Sequence, residues 1–215
     1  GEKSFSLCRS DSELSLPGVD GDVFIYKSHV FNNSAESPGK IIHIYRHPLD
    51  VFLSALNHLH NQSENFPAVR KEALFLSGKP KTVEAIFESG EMDFYFDRFL
   101  ENVGANFWPG MLKKSSNYFE YVLNGLSSEG ALSIRYEDLL DNTSDTVNRA
   151  MNYALDINEN VCLDLEGVNK KTKDGGNRRF YWKAKSKNYE SFLTKKQISD
   201  FEALYTAELK DIGYL

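Results

Sequence analysis

A guanidinium and a hydroxyl lie eight positions apart in the segment Arg46–Ser54. Arg46 follows an apolar stretch, and Ser54 comes about two helical turns later, so both side chains can reach one bound group. An arginine pairs with two phosphate oxygens at once, and a serine hydroxyl adds a further hydrogen bond. The segment is therefore compatible with a phosphate site. The residues alone leave a second interpretation open, in which Arg46 only pairs with Asp50 and Ser54 has no particular role.

The same segment resembles the 3′-phosphate-binding signature of the cytosolic-type sulfotransferases, Arg-Asn-Pro-x-Asp-x-x-x-Ser. Arg46, Pro48, Asp50 and Ser54 match this signature at the same spacing, whereas His47 replaces the usual asparagine. In that family the arginine and the serine hold the 3′-phosphate of PAPS (3′-phosphoadenosine 5′-phosphosulfate), the sulfuryl donor. The resemblance implies that Arg46 and Ser54 bind PAPS and its product PAP, and it implies no metal.

A second segment, Lys27-Ser28-His29, resembles the family's Lys-Thr-His. The resemblance makes His29 the general base that takes a proton from the acceptor, and an imidazole suits this role because its pKa of about 6.5 lies near neutral pH. Lys27 would neutralise charge on the transferring group. Taken alone, Lys-x-His also fits a surface lysine beside a hydrogen-bonded histidine.

A third match is Ile134-Arg-Tyr136-Glu-Asp, which resembles the family's Phe-Tyr-Glu-Asp strand end. There the tyrosine contacts the nucleotide, so the resemblance assigns Tyr136 to cofactor binding. Glu137 and Asp138 receive no chemical role, because acids commonly begin the helix that follows a strand.

The fourth match lies in a basic segment, residues 170–196, which holds ten Lys/Arg and two acids. Its charge fits a local anion site or a solvated loop. Residues 182–189 resemble the family's Arg-Lys-Gly-x-x-Gly-x-Trp only in part. Lys183 matches the family's lysine and is assigned to cofactor binding. The other positions differ, with Trp182 for the arginine, Ala184 and Lys187 for the glycines and Tyr189 for the tryptophan; Arg178, Arg179 or Lys185 could supply the missing cation.

The family's N-terminal loop, Pro-Lys-Ser-Gly-Thr-Thr-Trp, has no counterpart among the 26 residues that precede Lys27. Backbone amides of that loop hold the 5′-phosphosulfate. We expect this chain to start after an omitted segment, and a degenerate family member is the alternative. Residues 1–215 are predicted to form one sulfotransferase-like domain without that strand and loop.

The elements that must position these residues alternate between strands and helices. Strands are predicted at 22–29, 40–45 and 131–136. Helices are predicted from Pro48, at 92–103, 111–123 and 144–155, and from a capping box at Thr194 to about Lys210. The pattern predicts an α/β fold, a single domain with a parallel sheet flanked by helices. Ligands bind beyond the carboxyl ends of such strands, where residues 27–29, 46–47 and 136–138 lie.

Composition narrows the partners and the location. A chain of 215 residues with 41% hydrophobic content fits one domain, and a net charge of −6 argues against general nucleic-acid binding. No apolar window is long enough for a membrane span, and residues 1–10 show no signal peptide. The two cysteines suggest a reducing compartment, so we predict a cytoplasmic protein.

The sequence therefore predicts transfer of a sulfuryl group from PAPS to a hydroxyl or amine of a small molecule or carbohydrate. A catalytically silent module that binds PAP or another adenine nucleotide is the alternative, and a structural protein with a dead site is a third. A phosphotransferase lacks support because no Gly-x-x-x-x-Gly-Lys-Ser/Thr loop is present. The oligomeric state stays open. Six aromatic residues could line an acceptor pocket or belong to the core: Phe94, Tyr95, Phe96, Phe99, Phe107 and Trp108.

Overall fold

The computed structural model describes residues 6–7, 26–27, 40–63, 81–104, 117–158 and 185–215. Four strands are present in these ranges: β1 (Ser6–Leu7), β2 (Tyr26–Lys27), β3 (Ile41–Tyr45) and β4 (Ala131–Arg135). The helices are α1 (Pro48–Ser63), α2 (Val83–Glu88), α3 (Met92–Leu100), α4 (Tyr118–Leu126), α5 (Tyr136–Asp141), α6 (Thr143–Leu155), α7 (Lys195–Leu204) and α8 (Thr206–Asp211), together with a 3₁₀ turn at Asn188–Ser191.

Strands β3 and β4 are parallel neighbours, and their register runs from Ile41 beside Ala131 to Tyr45 beside Arg135. Both strands end at the same level, so the residues that follow them, Arg46 and Tyr136, emerge side by side. The predicted α/β fold with a parallel sheet and flanking helices is confirmed, and the two strand ends meet as that prediction requires.

Strand β2 has a partner that the sequence pattern did not suggest. Tyr26 and Lys27 pair antiparallel with Leu7 and Ser6. Within the described residues this pair forms a sheet of its own, separate from β3 and β4. A short strand close in sequence supplies the backbone hydrogen bonds of β2, as neighbouring segments commonly do. His29, the predicted general base, lies outside the described residues.

Helix α1 starts where the sequence predicts, because Pro48 suits the first helical position. The His47 ring accepts the Leu49 N–H at Nδ1 (3.3 Å) and so caps the helix. Leu49, Phe52, Leu53 and Leu56 on this helix are fully buried. Their burial anchors α1 in the core, which fixes the position of its first turn beside the strand ends.

The core is rich in aromatic side chains. Phe52 of α1 packs against Phe96 and Phe99 of α3, with ring centroids 5.8 and 5.0 Å apart. Phe99 also contacts Phe201 of α7 at 6.1 Å. Tyr95, Phe96 and Phe99 thus belong to the core, whereas Phe94 is 43% exposed. Phe107 and Trp108 lie outside the described residues.

The C-terminal helix begins as predicted and then differs from the prediction. Thr194 and Gln197 form the expected capping box. The single helix predicted to about Lys210 is divided at Tyr205, whose φ of −116° and ψ of 30° end α7. The Thr206 hydroxyl donates to the Glu202 carbonyl (2.6 Å), a local bond that competes with regular helix geometry.

Among the helices of the described ranges, none is both long and apolar enough to cross a lipid bilayer.

Candidate functional site

Arg46 occupies the junction between β3 and α1. Its backbone is held by one side chain, because the Tyr118 hydroxyl accepts the Arg46 N–H (3.0 Å) and donates to the Arg46 carbonyl (2.9 Å). Tyr118 begins α4, and burial raises the pKa of its hydroxyl well above the ordinary value, so the group stays protonated as a donor. These two hydrogen bonds fix the backbone position from which the Arg46 side chain extends.

The Arg46 guanidinium has partners from three segments of the chain. Its Nη2 donates to the Lys185 carbonyl at 2.7 Å and lies 3.3 Å from Asp50 Oδ2. The guanidinium carbon lies 4.6 Å from the centre of the Tyr136 ring, a cation–π contact. Within the described residues, the buried Nε of Arg46 has no hydrogen-bond partner. A buried donor without a partner is costly, so a bound anion would complete this arrangement.

Asp50 connects the first turn of α1 to the segment 185–189. Its side chain is fully buried. Oδ2 accepts the Lys187 N–H (2.8 Å), and Oδ1 accepts the Tyr189 N–H (3.3 Å). Burial raises the pKa of Asp50, while Arg46 and the two amides act in the opposite direction. The ion pair that the residues left open between Arg46 and Asp50 exists, and it is part of a larger network.

His47 lies on one side of the group of residues that surrounds Arg46, here called the Arg46 cluster. Its ring stacks on Tyr189 at 4.7 Å between centroids and meets the edge of Tyr214 at 4.9 Å. Burial, with a contribution from the positive charges of Lys187 and Arg46, lowers the pKa of His47 to about 4. The ring is therefore neutral at neutral pH, which leaves its Nδ1 free to cap α1.

Glu137, which has no predicted chemical role, joins three parts of the site. Oε1 accepts the His47 N–H at 3.1 Å, and Oε2 accepts the Tyr214 hydroxyl at 2.6 Å. Burial raises the pKa of Tyr214, and this contact with Glu137 raises it as well. The start of α1, the end of β4 and the C-terminal end of the chain are thus held together by one carboxylate.

The structure brings together two of the six residues predicted for the site, Arg46 and Tyr136. Ser54 lies in α1, partly buried and one turn beyond Asp50 on the same side of the helix. Lys27 lies in β2, and both His29 and Lys183 fall outside the described residues.

Sequence reasoning missed Tyr118 and Glu137, and it assigned no contact to the Lys187 backbone. Tyr118 lies in a helix that is 72 positions from Arg46. No spacing rule reveals such a pairing, because it depends on how α4 packs beside β3. Glu137 was visible as an acid after a strand, but its partners become known only with the sheet register.

Lys187 has a left-handed backbone, with φ 56° and ψ 31°. This conformation is unfavourable for a residue with a Cβ atom and favours glycine. The position is one at which the resembling motif has glycine, the residue that adopts this conformation most easily.

The arrangement favours a bound anion. Arg46 contributes a cation, and the N-terminal end of α1, a helix of 16 residues, contributes a partial positive charge next to it. Tyr136 adds an aromatic face beside the guanidinium. Within the described ranges, no group of three or more His, Cys, Asp or Glu residues is placed to hold a metal ion.

Comparison with known proteins gives one family. A model of the Sulfotransferase domain family matches residues 22–213, which cover most of the chain and include β2, β3, β4 and the Arg46 cluster. No curated protein matches the chain. The match to this family supports sulfuryl transfer, in general terms, as the chemistry of the domain. With its parallel strand ends, its Arg46 junction and this match, the chain belongs to the Sulfotransferase domain family.

Proposed function

We propose that this chain transfers a sulfuryl group from PAPS to a hydroxyl or amine of a small-molecule or carbohydrate acceptor. The observation that carries the proposal is the Arg46 guanidinium, fixed at a strand end with a buried Nε that has no partner among the described residues. A phosphate oxygen is a suitable acceptor for that N–H, since charge-assisted hydrogen bonds are the stronger class.

The chain's own residues divide the work on the nucleotide side. Arg46 binds the 3′-phosphate, and Ser54 adds a hydroxyl from the same face of α1 as Asp50. Tyr136 packs on the guanidinium and presents its ring to the nucleotide, and Lys183 adds a positive charge. Asp50 and Tyr118 keep Arg46 in place, one from the side chain and one from the backbone.

On the acceptor side, His29 takes the proton of the attacking hydroxyl or amine, and Lys27 stabilises the negative charge that develops during transfer. When bound, PAPS supplies the sulfuryl group and departs as PAP. The roles of Lys27 and His29 rest on the resemblance of Lys27-Ser28-His29 and on the family match, which includes these residues.

A catalytically silent nucleotide-binding module is the second candidate, and one observation favours it. Lys27 lies in a strand that pairs with β1, and among the described residues this pair is a sheet separate from the one that ends at Arg46. In this second function the Arg46 cluster binds PAP, and no transfer follows.

One experiment tests both candidates. We expect PAP to raise the melting temperature of the chain, because a ligand that binds only the native state stabilises it. Arg46→Ala should abolish the rise, whereas Arg98→Ala should keep it, since Arg98 forms an exposed pair with Glu101. Transfer from labelled PAPS to a panel of phenols, alcohols, amines and sugars is then measured for the wild type and for His29→Ala.

The outcomes separate the candidates. Transfer that His29→Ala removes supports the enzyme, and normal transfer by His29→Ala contradicts the role of His29. PAP binding without transfer to any acceptor supports the silent module. If PAP does not shift the melting temperature, or if Arg46→Ala shifts as the wild type does, the nucleotide site is wrong.

A further inference from the structure

Lys187 is held against the Arg46 cluster through its backbone. Its N–H donates to Asp50 Oδ2 at 2.8 Å, and the same oxygen lies 3.3 Å from Arg46 Nη2. Two residues later, the Tyr189 N–H donates to the other oxygen of Asp50. The Lys187 backbone is therefore fixed beside Arg46, because both residues contact the same oxygen of Asp50.

A lysine at this position has a structural cost. Its φ of 56° lies in the left-handed region, which is unfavourable for a residue with a Cβ atom. Its side chain does not offset this cost through an ion pair within the described residues, where no carboxylate lies within 4.0 Å of its ammonium group. Glycine would meet the same backbone requirement without the strain.

The Lys187 side chain is exposed, and its positive charge affects the neighbouring His47 ring. Burial lowers the pKa of the His47 ring, and the positive charges of Lys187 and Arg46 act in the same direction. His47 directly follows Arg46 and caps α1. The Lys187 backbone contacts Asp50 in the first turn of that helix, so the lysine side chain starts beside the Arg46 guanidinium.

We infer that the Lys187 side chain is a second cation of the anion site, and that it contacts the same 3′-phosphate of the nucleotide as Arg46. The inference rests on the proposed function, since it needs a nucleotide at Arg46. Residues 182–189 have Trp182 where the resembling motif has an arginine, and the inference assigns the positive charge of that arginine to Lys187. The Lys185 carbonyl already serves as an acceptor for Arg46.

The test compares two ligands on variants that keep the backbone. Lys187→Gly and Lys187→Asn both tolerate the left-handed conformation and remove the charge. We expect both to weaken PAP binding about five-fold at low salt, the scale of one exposed charge contact, in isothermal calorimetry. Adenosine 5′-monophosphate, which lacks the 3′-phosphate, should bind them as it binds the wild type.

Two controls accompany the variants. Lys196→Ala removes an exposed lysine of α7 that pairs with Asp200, so PAP binding should not change. Lys187→Arg keeps the charge and should restore most of the affinity. Melting temperatures without ligand show whether each variant folds, and Lys187→Gly should melt at or above the wild-type temperature.

Three results overturn the inference. PAP binding that Arg46→Ala abolishes and the Lys187 variants leave unchanged contradicts this inference alone. An equal loss for both ligands contradicts a contact with the 3′-phosphate. A wild-type chain that does not bind PAP contradicts the proposed function and this inference with it.

Discussion

The side chain of Arg46 is surrounded by groups that belong to four different segments. Tyr118 holds its backbone, Asp50 and the Lys185 carbonyl hold Nη2, and the Tyr136 ring covers the guanidinium. An arginine held on so many sides has little rotamer freedom left to lose when an anion binds, so binding costs less entropy. At the residue scale, the site is an arginine fixed before its ligand arrives.

Asp50 is the residue on which this fixation most depends. Asp50→Asn keeps the shape but removes the charge beside Arg46, and it turns a donor toward the Lys187 or Tyr189 N–H. We expect a loss of about 3 kcal/mol in the free energy of unfolding, as when one partner of a buried network is removed. Urea denaturation measures this loss.

Glu101→Gln is the matched control for Asp50→Asn, because it neutralises one carboxylate of an exposed pair with Arg98. Its effect on the free energy of unfolding should be small. Equal losses in the two variants would contradict the view that Asp50 organises the cluster. An Asp50→Asn chain with the wild-type free energy of unfolding and the wild-type affinity for PAP would show that Arg46 needs no such support.

At the scale of elements, the site depends on how α4 packs against β3. Gly125 of α4 faces the His43 ring of β3, and a Cβ atom built at Gly125 would lie 2.2 Å from His43 Nδ1. Nδ1 of His43 also lies 3.3 Å from the Ser133 hydroxyl of β4. Only glycine permits this approach, which also sets the distance of Tyr118 from the end of β3.

Gly125→Ala tests that packing. The added methyl must displace the buried His43 ring, so we expect a loss of about 1–3 kcal/mol or more in the free energy of unfolding. Because α4 also carries Tyr118, PAP affinity should fall together with stability. Ser127→Ala, an exposed position just after α4, is the control and should change neither quantity; an unaltered Gly125→Ala chain would contradict the close packing.

The sequence predicts some of these elements better than others, for physical reasons. The start of α1 and the Thr194 capping box follow from local rules, and both are present. The meeting of Arg46 and Tyr136 follows from parallel strands that end together. By contrast, the antiparallel partner of β2 and the contacts of Tyr118 depend on tertiary packing, which local pattern does not encode.

At the scale of the whole molecule, the site lies where distant parts of the chain converge. Glu137 connects α1, the end of β4 and Tyr214, the second-last residue. The chain carries a net charge of −6, yet the Arg46 side chain and the Lys187 backbone meet at Asp50. A local positive site on an acidic protein binds an anion through near contacts rather than through the field of the whole protein.

The buried histidines make the whole molecule sensitive to acid. Burial lowers the pKa of His43, His47 and His60 to about 4 in the folded chain, against about 6.5 when unfolded. Between these values the unfolded chain binds more protons than the folded one, so stability is lost as pH falls from about 6.5 toward 4. The raised pKa of Asp50 acts in the opposite direction.

His47→Asn isolates one of these contributions, because asparagine can still cap α1. At about pH 7.5 the variant should be less stable than the wild type, since it loses the stacking on Tyr189. At about pH 5 the wild type loses about 2 kcal/mol through His47 and the variant does not, so the difference between them should shrink or reverse. Urea denaturation at both pH values measures this change. The difference between wild type and variant at the higher pH is the internal control, because it reports the loss of packing alone. A difference that is independent of pH would mean that His47 is protonated equally in the folded and unfolded chain, and the cap of α1 would then need another explanation.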